Sequence, residues 1–299
     1  MITTRTHIPL KRVLAWLGIK KNKYHQWRTR VGEPNKHNGK IPRATWILPW
    51  ERDAIIAYRR THSTEGYRCM TYMMLDDNVV AVSPSTTYRV LKSAGLLSRW
   101  NVAKPLKKRG FDQPERPHEH WHVDIKYVNF HGTFLFLISV IDGFSRYIVH
   151  HELRVSMQEY DVQLTIERAL NFFPGVAPRI ISDNGTQFIA KDFTEFMRLK
   201  GLQHVRTSIA HPQSNGKLER FHATISSECL HTTSFLDLED ARRRIAEYIA
   251  YYNTKRLHSA IYYLTPQDVL DGRTIDRLND REQKLEHAER QRRVMRQAA

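Results

Sequence analysis

The alternation of apolar and polar residues that begins at Trp121 constrains the fold more than any other feature of this sequence. In the segment HWHVDIKYVNF, apolar side chains take every second position and polar ones, among them Asp124, take the positions between. Two further strands, GTFLFLISVID and SRYIVHHEL, follow after short turns, and helices then alternate with the strands PRIISDNG and QHVRTS. Three consecutive strands followed by helix-strand units predict an α/β fold with a mixed five-stranded sheet flanked by helices.

The charge of the chain is positive and unevenly distributed. The formal net charge is +16, and residues 1–120 hold 23 Lys and Arg against 9 Asp and Glu. A surplus clustered in this way is typical of a surface that binds nucleic acid. The two cysteines, Cys69 and Cys229, are too few for a disulfide framework, and no apolar run approaches the roughly 20 residues of a membrane span. We therefore expect a cytoplasmic protein of the bacterial nucleoid, without a membrane partner.

Residues 1–45 have the pattern of a first helix-turn-helix DNA-binding domain. Gly18 is well placed to end one helix, and a second helix over residues 21–30 is expected to bury Tyr24 and Trp27. A short turn between two such helices can present a recognition helix to the major groove, although a purely structural helical core has the same pattern. The outward basic residues, which are candidates for DNA contact, are Lys23, Arg28 and Arg30.

Residues 46–100 have the pattern of a second helix-turn-helix domain. Ser83 suits the N-cap of its last helix, Pro84 the first helical position and Gly95 the C-cap. Residues 101–118 are rich in Pro, Lys and Arg and read as a basic linker that could follow a phosphate backbone. The residues of that last helix expected to face outward are Thr87, Arg89 and Lys92, and the candidate phosphate contacts in the linker are Lys107, Lys108 and Arg109.

Three carboxylates are candidates for catalysis in the segment that follows the linker. Asp124 lies within a strand, Asp183 ends an apolar strand, and Glu219 falls one turn into a helix. An aspartate in an apolar strand costs free energy unless a partner compensates its charge, and a divalent metal is a natural partner for several carboxylates. With 31 acidic residues in the chain, spacing alone leaves a chance arrangement open.

The sequence around these acids resembles the integrase-core (DDE) transposases. The matching segments are WHVDIKY, ISDNGTQF and HPQSNGKLERFHATI, with 35 residues between Asp183 and Glu219. The resemblance implies a ribonuclease H-like fold for an integrase catalytic core over residues 119–272, with the three acids as both catalytic and metal-binding residues. Further matching positions are Tyr251-Tyr252-Asn253, Arg256, His258 and Thr265-Pro266.

With the two upstream domains, the chain looks like an insertion-sequence transposase of the retroviral-integrase type. The resemblance implies binding of terminal inverted repeats, metal-dependent end cleavage and strand transfer into target DNA. It also implies two Mg²⁺ ions per active site, replaceable by Mn²⁺, and a homo-oligomer, dimer or tetramer, on double-stranded DNA. A hydrolytic nuclease of the same fold and a non-catalytic helix-turn-helix regulator are the alternatives.

Several residues near the acids are weaker candidates for contact with DNA. Many members of this family carry Lys or Arg seven positions after the catalytic Glu, whereas this chain has Ser226. We expect the missing contact to come from elsewhere, from Arg220 or His222. The other candidates for contact with DNA are Gln187 and Lys217.

Residues 273–299 form a basic C-terminal helical tail with little apolar periodicity. We expect this tail to be solvated and only partly ordered. A helical arm that reaches a neighbouring subunit or DNA is the alternative.

Overall fold

The structure is a computed structural model that describes residues 8–32, 46–97, 113–206 and 216–298. The chain divides into two compact units, residues 1–46 and residues 47–299. The candidate linker contacts Lys107, Lys108 and Arg109 lie outside the described residues. None of the helices in the described ranges combines the length and the apolar composition needed to cross a membrane.

A mixed five-stranded sheet forms the centre of the larger unit. Its strands lie side by side in the order β3-β2-β1-β4-β5. The first three strands pair antiparallel, whereas β4 runs parallel to β1 and β5 runs parallel to β4. This arrangement confirms the predicted mixed five-stranded sheet. Short turns can join the antiparallel neighbours, whereas parallel strands need longer crossovers. The strands are β1 (His120–Phe130), β2 (Thr133–Asp142), β3 (Ile148–Arg154), β4 (Arg179–Ser182) and β5 (His204–Arg206).

Helices cover both faces of this sheet. One face carries Trp121 and Val123, both fully buried, and packs against α6 and α8. The opposite face packs against α9 and α10 through residues such as Phe221 and Ile245. Alternate residues of β1 therefore serve two different cores, and Asp124 lies on the side of α9. These helices are α6 (Glu159–Phe172), α7 (Thr186–Ile189), α8 (Lys191–Leu199), α9 (Gly216–Ile225) and α10 (Leu238–Thr254).

The smaller unit contains a helical hairpin, α1 (Leu10–Trp16) and α2 (Lys21–Arg28). Gly18 lies between them with a φ of 63°, a conformation that favours glycine. The expectation that Trp27 is buried is wrong, since its side chain is 49% exposed. The hairpin is too short to cover so large a ring, and in the described part of this unit only Leu14 is buried among the helical residues.

Three helices, α3 (Pro49–Thr61), α4 (Tyr67–Asp76) and α5 (Pro84–Ser93), form a bundle at the beginning of the larger unit. Its core contains Ile55, Met70, Met74 and Leu91, all without exposed surface. The predicted cap of α5 is confirmed, because the amide of Thr86 donates to the Ser83 side chain. The expectation that Thr87 faces outward is wrong. Its side chain is fully buried and accepts a hydrogen bond from Thr71 of α4 at 2.9 Å.

The C-terminal segment is a regular helix rather than a partly ordered tail. After the short helix α11 (Pro266–Leu270), α12 runs over Thr274–Gln297. Arg281 and Arg292 are its buried residues, with 3% and 4% of their surface exposed. The expectation of a solvated tail is therefore wrong, because these two arginines dock the helix onto the α3–α5 bundle.

Candidate active site

The sheet brings Asp124 and Asp183 to neighbouring positions. In the parallel pairing of β1 with β4, His122 stands opposite Ile181. Two residues further along each strand, Asp124 is therefore level with Asp183, which directly follows β4. Adjacent strands lie about 4.8 Å apart, so the two carboxylates project from neighbouring backbones at the C-terminal end of β4. One oxygen of Asp183 accepts the amide of Gly185 at 2.9 Å, which fixes the turn after the strand.

Helix α9 brings Glu219 and His222 towards these two aspartates. Leu218, Phe221 and Ile225 anchor the helix in the core. Glu219 lies in the first turn with an exposed side chain, one turn before His222. The Nδ1 atom of the buried His222 lies 3.6 Å from Oδ2 of Asp124. The helix thus adds a carboxylate and an imidazole to the site, to which β1 and the end of β4 contribute the two aspartates.

Negative charge accumulates at this site. The pKa of Asp124 is raised to about 7, mainly by burial and also by the charges of Asp183 and Glu219, while the amide of Ile125, which donates to the carboxylate, lowers it. Burial, with Lys126 nearby, lowers the pKa of His222 to about 3, so this ring is neutral. The three carboxylates supply the oxygen donors that a hard divalent cation prefers.

The fit of these residues to a metal ion depends on their grouping and on their chemistry. Among the described residues, no three Asp, Glu, His or Cys side chains lie close enough together to hold a metal ion as they stand. Repulsion between like charges opposes a closer approach of the three carboxylates, and a divalent cation relieves that repulsion when it binds. The oxygen donors on β1, after β4 and on α9 therefore fit the ion by their chemistry.

Lys217 lies against the sheet rather than in open solvent. A Cβ atom on Gly143 would come within 3.2 Å of its Nζ atom and 3.1 Å of the carbonyl oxygen of His120. Any larger residue at position 143 would require these neighbours to shift by a few tenths of an ångström. Burial, and then the charge of Arg146, lower the pKa of Lys217 to about 7, while Asp142 opposes the shift. Its ammonium group is therefore largely enclosed beside the turn that follows β2.

The remaining predicted DNA-contact residues lie in three separate places. Arg89 and Lys92 are exposed on α5, and Arg220 is exposed on α9 beside the acids. Gln187 is partly buried in α7, in the turn after Asp183. The structure thus brings Gln187 close to Asp183 and places Arg220 next to Glu219 on α9, whereas the ammonium group of Lys217 lies beside Gly143. Those in the smaller unit, all exposed, are Lys23, Arg28 and Arg30.

Lys126 is a residue of this site that sequence reasoning missed. It follows Asp124 by two positions on β1, so both side chains point to the face covered by α9. Its charge acts on both Asp124 and His222. It forms no hydrogen bond or ion pair with any residue of the described ranges. Strand alternation in the sequence is the signal that could have identified it.

The helix changes its winding at Ser226, the position where a basic residue was expected. A single π-helical turn, Ser226–Leu230, continues α9, and the Ser226 hydroxyl donates to the carbonyl of His222 at 2.6 Å. Turns of this kind are often found at functional sites. Because His222 is buried beside Asp124, it does not supply an exposed replacement for the missing cation.

Comparison with protein families gives two matches, both described as "Integrase core domain". One covers residues 114–212 and the other residues 200–266. The InsK protein for insertion sequence IS150 of Escherichia coli K12 is 24% identical over 279 residues, which span 88% of this chain and 93% of its own length. The transposase for insertion sequence IS904 of Lactococcus lactis is 30% identical over 174 residues, 58% of this chain and 67% of its own. Transposase InsD for IS2 of Escherichia coli is 27% identical, over 73% and 77% of the two chains.

Two solved structures are also similar to this chain. The HTLV-2 integrase catalytic core in complex with magnesium superposes with a TM-score of 0.42 at 18% identity, covering 52% of this chain and 98% of that one. A simian T-cell lymphotropic virus intasome superposes with a TM-score of 0.48 at 15% identity, covering 73% and 74%.

Proposed function

The chain belongs to the insertion-sequence transposases with an integrase core domain, and from that premise we propose how its own residues carry out transposition. It is a DNA transposase, a polynucleotidyl transferase with a ribonuclease H-like core. The proposal is that it binds the terminal inverted repeats of its element, cleaves the ends and transfers them to target DNA. The observation that carries it is the approach of Asp124, Asp183 and Glu219 on β1, after β4 and on α9.

These three acids act as the metal ligands and catalytic residues of the reaction. Divalent metal dependence follows from the core domain, and the finer proposal is two Mg²⁺ ions, for which Mn²⁺ substitutes. When bound, the metal supplies activation of the attacking oxygen and stabilisation of the leaving oxygen of a phosphodiester. Asp124 is the central ligand in this proposal because the charges of both other acids act on it, and Nδ1 of His222 lies 3.6 Å from its Oδ2 atom.

The other parts of the chain are proposed to hold DNA. Residues 1–45 and 46–100 act as helix-turn-helix domains for the element ends, with 101–118 as a basic linker to the core at 119–272, followed by the helix in 273–299. The exposed cations Arg89 and Lys92 on α5 support a DNA-facing role for the second domain. Two ends must be joined in one reaction, so we propose a homo-oligomer, a dimer or tetramer, assembled on double-stranded DNA.

A joining assay tests the function and separates it from its alternatives. The substrate is labelled DNA carrying the sequences that flank the open reading frame, mixed with plasmid and Mg²⁺. A transposase produces labelled DNA joined covalently to the plasmid. Cleavage without joining identifies a hydrolytic nuclease, and binding without cleavage identifies a regulator. Either of those results contradicts the proposal.

Lys126 is proposed to contact a DNA phosphate next to the reacting bond, in place of the cation that Ser226 lacks. We expect Lys126→Ala to lower joining about 10- to 100-fold, because a hydrogen bond to a charged group contributes about 1.5–3 kcal/mol. Lys126→Arg should retain most of the activity, since it keeps the charge. For binding of DNA by the full chain, the slope of log affinity against log salt should become smaller by about 0.9 in the alanine variant, as expected for one lost phosphate contact.

The matched control for Lys126 is Lys200→Ala. Lys200 lies at the end of α8 on the opposite face of the sheet, where it pairs with Glu167 at 2.6 Å. Removing that surface pair changes stability by about 0–1 kcal/mol, and joining should be unaffected. Equal losses in the two alanine variants would show that total charge, rather than the position of Lys126, determines the effect.

A further inference from the structure

Helix α12 has a composition that does not explain how it packs. It is 24 residues long, about 36 Å, and charged residues surround it on all sides. A helix without an apolar stripe is typically one that bridges two parts of a molecule. Its buried residues are two arginines, Arg281 and Arg292, and each is paired with an acid of the α3–α5 bundle.

Arg281 lies at a junction of three elements. Its guanidinium binds both oxygens of Asp76 on α4, at 2.8 and 2.7 Å. It also donates to the carbonyl oxygens of Tyr262 and Tyr263, at 3.1 and 2.7 Å, in the loop before α11. Both tyrosines have a positive φ, 58° and 56°, which turns their carbonyls towards one point. Tyr72 of α4 completes the junction, with its ring 4.8 Å below the guanidinium and stacked on Tyr263.

Arg292 makes the second attachment, three turns or about 16 Å further along α12. Its guanidinium binds both oxygens of Glu51 on α3, at 2.8–3.0 Å, and donates to the carbonyl of Ala81, just before α5. Glu51 has only 2% of its surface exposed and also accepts the amide of Leu48 at 2.6 Å. The two ends of the bundle are thus fixed to the same rigid helix.

The chemistry of these contacts favours orientation over stability. A buried ion pair often contributes no more than well-packed apolar residues of the same size. A planar guanidinium bound through two nitrogens, however, fixes direction as well as distance. Arg281 applies that constraint to α4 and to a loop of the core together, so it defines the angle between the bundle and the core.

We propose that α12 sets the position of the α3–α5 bundle relative to the catalytic acids, and that Arg281 and Arg292 thereby determine which phosphodiester bond is cut. The inference rests on the proposed function, in which the bundle holds the element end through α5. If the distance and angle between the bound DNA and the three acids are constant (their offset), a single phosphodiester bond of the DNA reaches the acids. If the offset varies, neighbouring bonds reach them as well. Arg281 and Arg292 are positioning residues in this account.

The first arm of the test maps the cut at nucleotide resolution. The full chain is compared with Arg281→Gln and Arg292→Gln on end-labelled DNA from the element terminus. Cleavage by the unaltered protein is expected at a single bond, and cleavage by each variant at that bond and its neighbours, with affinity for the end unchanged. The matched control is Arg290→Gln on the same helix, where the exposed arginine has Glu286 as its only ion-pair partner within the described ranges. It should cut at the single bond.

The second arm measures the offset directly and needs no cleavage. Spin labels are placed at Ser93 of α5 and Lys200 of the core, both exposed, in a chain with Cys69→Ala and Cys229→Ala. The distance distribution should be narrow in the parent and in Arg290→Gln, and broad in both glutamine variants. Arg292→Lys keeps the charge but loses the planar fork, and it should broaden the distribution less. It serves as the readout if a glutamine variant fails to fold.

The two arms separate failure of the inference from failure of the function. Narrow distances in folded Arg281→Gln and Arg292→Gln overturn the inference whether or not the protein cuts DNA. Sharp cutting by these variants at the parental bond overturns it as well. A parent that never cuts, with the expected change in distances, leaves α12 as the element that fixes the bundle and contradicts the proposed function instead.

Discussion

Asp124→Asn, Asp183→Asn and Glu219→Gln are each expected to abolish both cleavage and joining while leaving binding of the element ends intact. Each substitution removes a carboxylate charge but keeps the size of the side chain. Loss of metal-based stabilisation of the reacting oxygens costs several kcal/mol, which corresponds to a decrease of about 10³-fold or more in rate. The rates of nicking and of joining are measured on pre-assembled complexes with DNA.

Glu195→Gln is the matched control for these three variants. Glu195 is an exposed carboxylate on α8 that pairs with Arg198 of the same helix, so its loss changes charge without touching the site. It should cut and join at the parental rate. Near-normal joining by any of the three site variants would remove that residue from the catalytic set. Asp124→Asn can bind DNA more tightly than the parent, because one source of repulsion from phosphates is gone.

Removal of divalent metal is expected to stop the chemistry without unfolding the chain. In EDTA, nicking and joining should fall to background, whereas the thermal midpoint should stay at its value in Mg²⁺. The reason is that the sheet around the acids is stabilised by buried apolar residues, such as Val123, Ile180 and Ile181, which do not depend on an ion. Product formation and thermal melts in the same buffers provide the two measurements.

Exchange of the ion distinguishes catalysis from assembly. Mn²⁺ should restore both steps, because it tolerates the same oxygen-rich octahedral site as Mg²⁺. Ca²⁺ should permit assembly on DNA but little product, since its larger and more variable coordination holds reacting oxygens poorly in line. Full joining in EDTA would contradict the metal-dependent mechanism. A large decrease of the thermal midpoint in EDTA would show that the ion is structural.

The parts of the fold that are coded locally could be predicted from the sequence. Alternation along β1 predicted both its strand and its two faces, and Ser83 with Pro84 predicted where α5 begins. The approach of Asp124 to Asp183 was implied by the family resemblance, and the register of β1 with β4 now gives its physical basis. Their roles in catalysis stay predictions.

The parts that depend on distant partners could not be predicted. Thr87 looks like a surface residue of α5 until Thr71 of α4 is placed beside it. Arg281 and Arg292 read as solvent-exposed charges, because their acidic partners lie 205 and 241 residues earlier in the chain. Periodicity reports burial by apolar residues and is silent about burial by ion pairs. Position 126 was passed over because a lysine on a strand is most often solvated.

The pairing of Glu51 with Arg292 also fixes an order of events during synthesis. Glu51 leaves the ribosome 241 residues ahead of its partner, a delay of about 10–50 s at ordinary rates of translation. All three acids proposed for catalysis have been made by residue 219, so a growing chain contains them before α12 exists. During that interval the bonds of Arg281 with Asp76 and of Arg292 with Glu51 have not yet formed. A nascent chain therefore contains the three acids before Arg281 and Arg292 can fix the position of the bundle relative to them. That interval ends when α12 is complete.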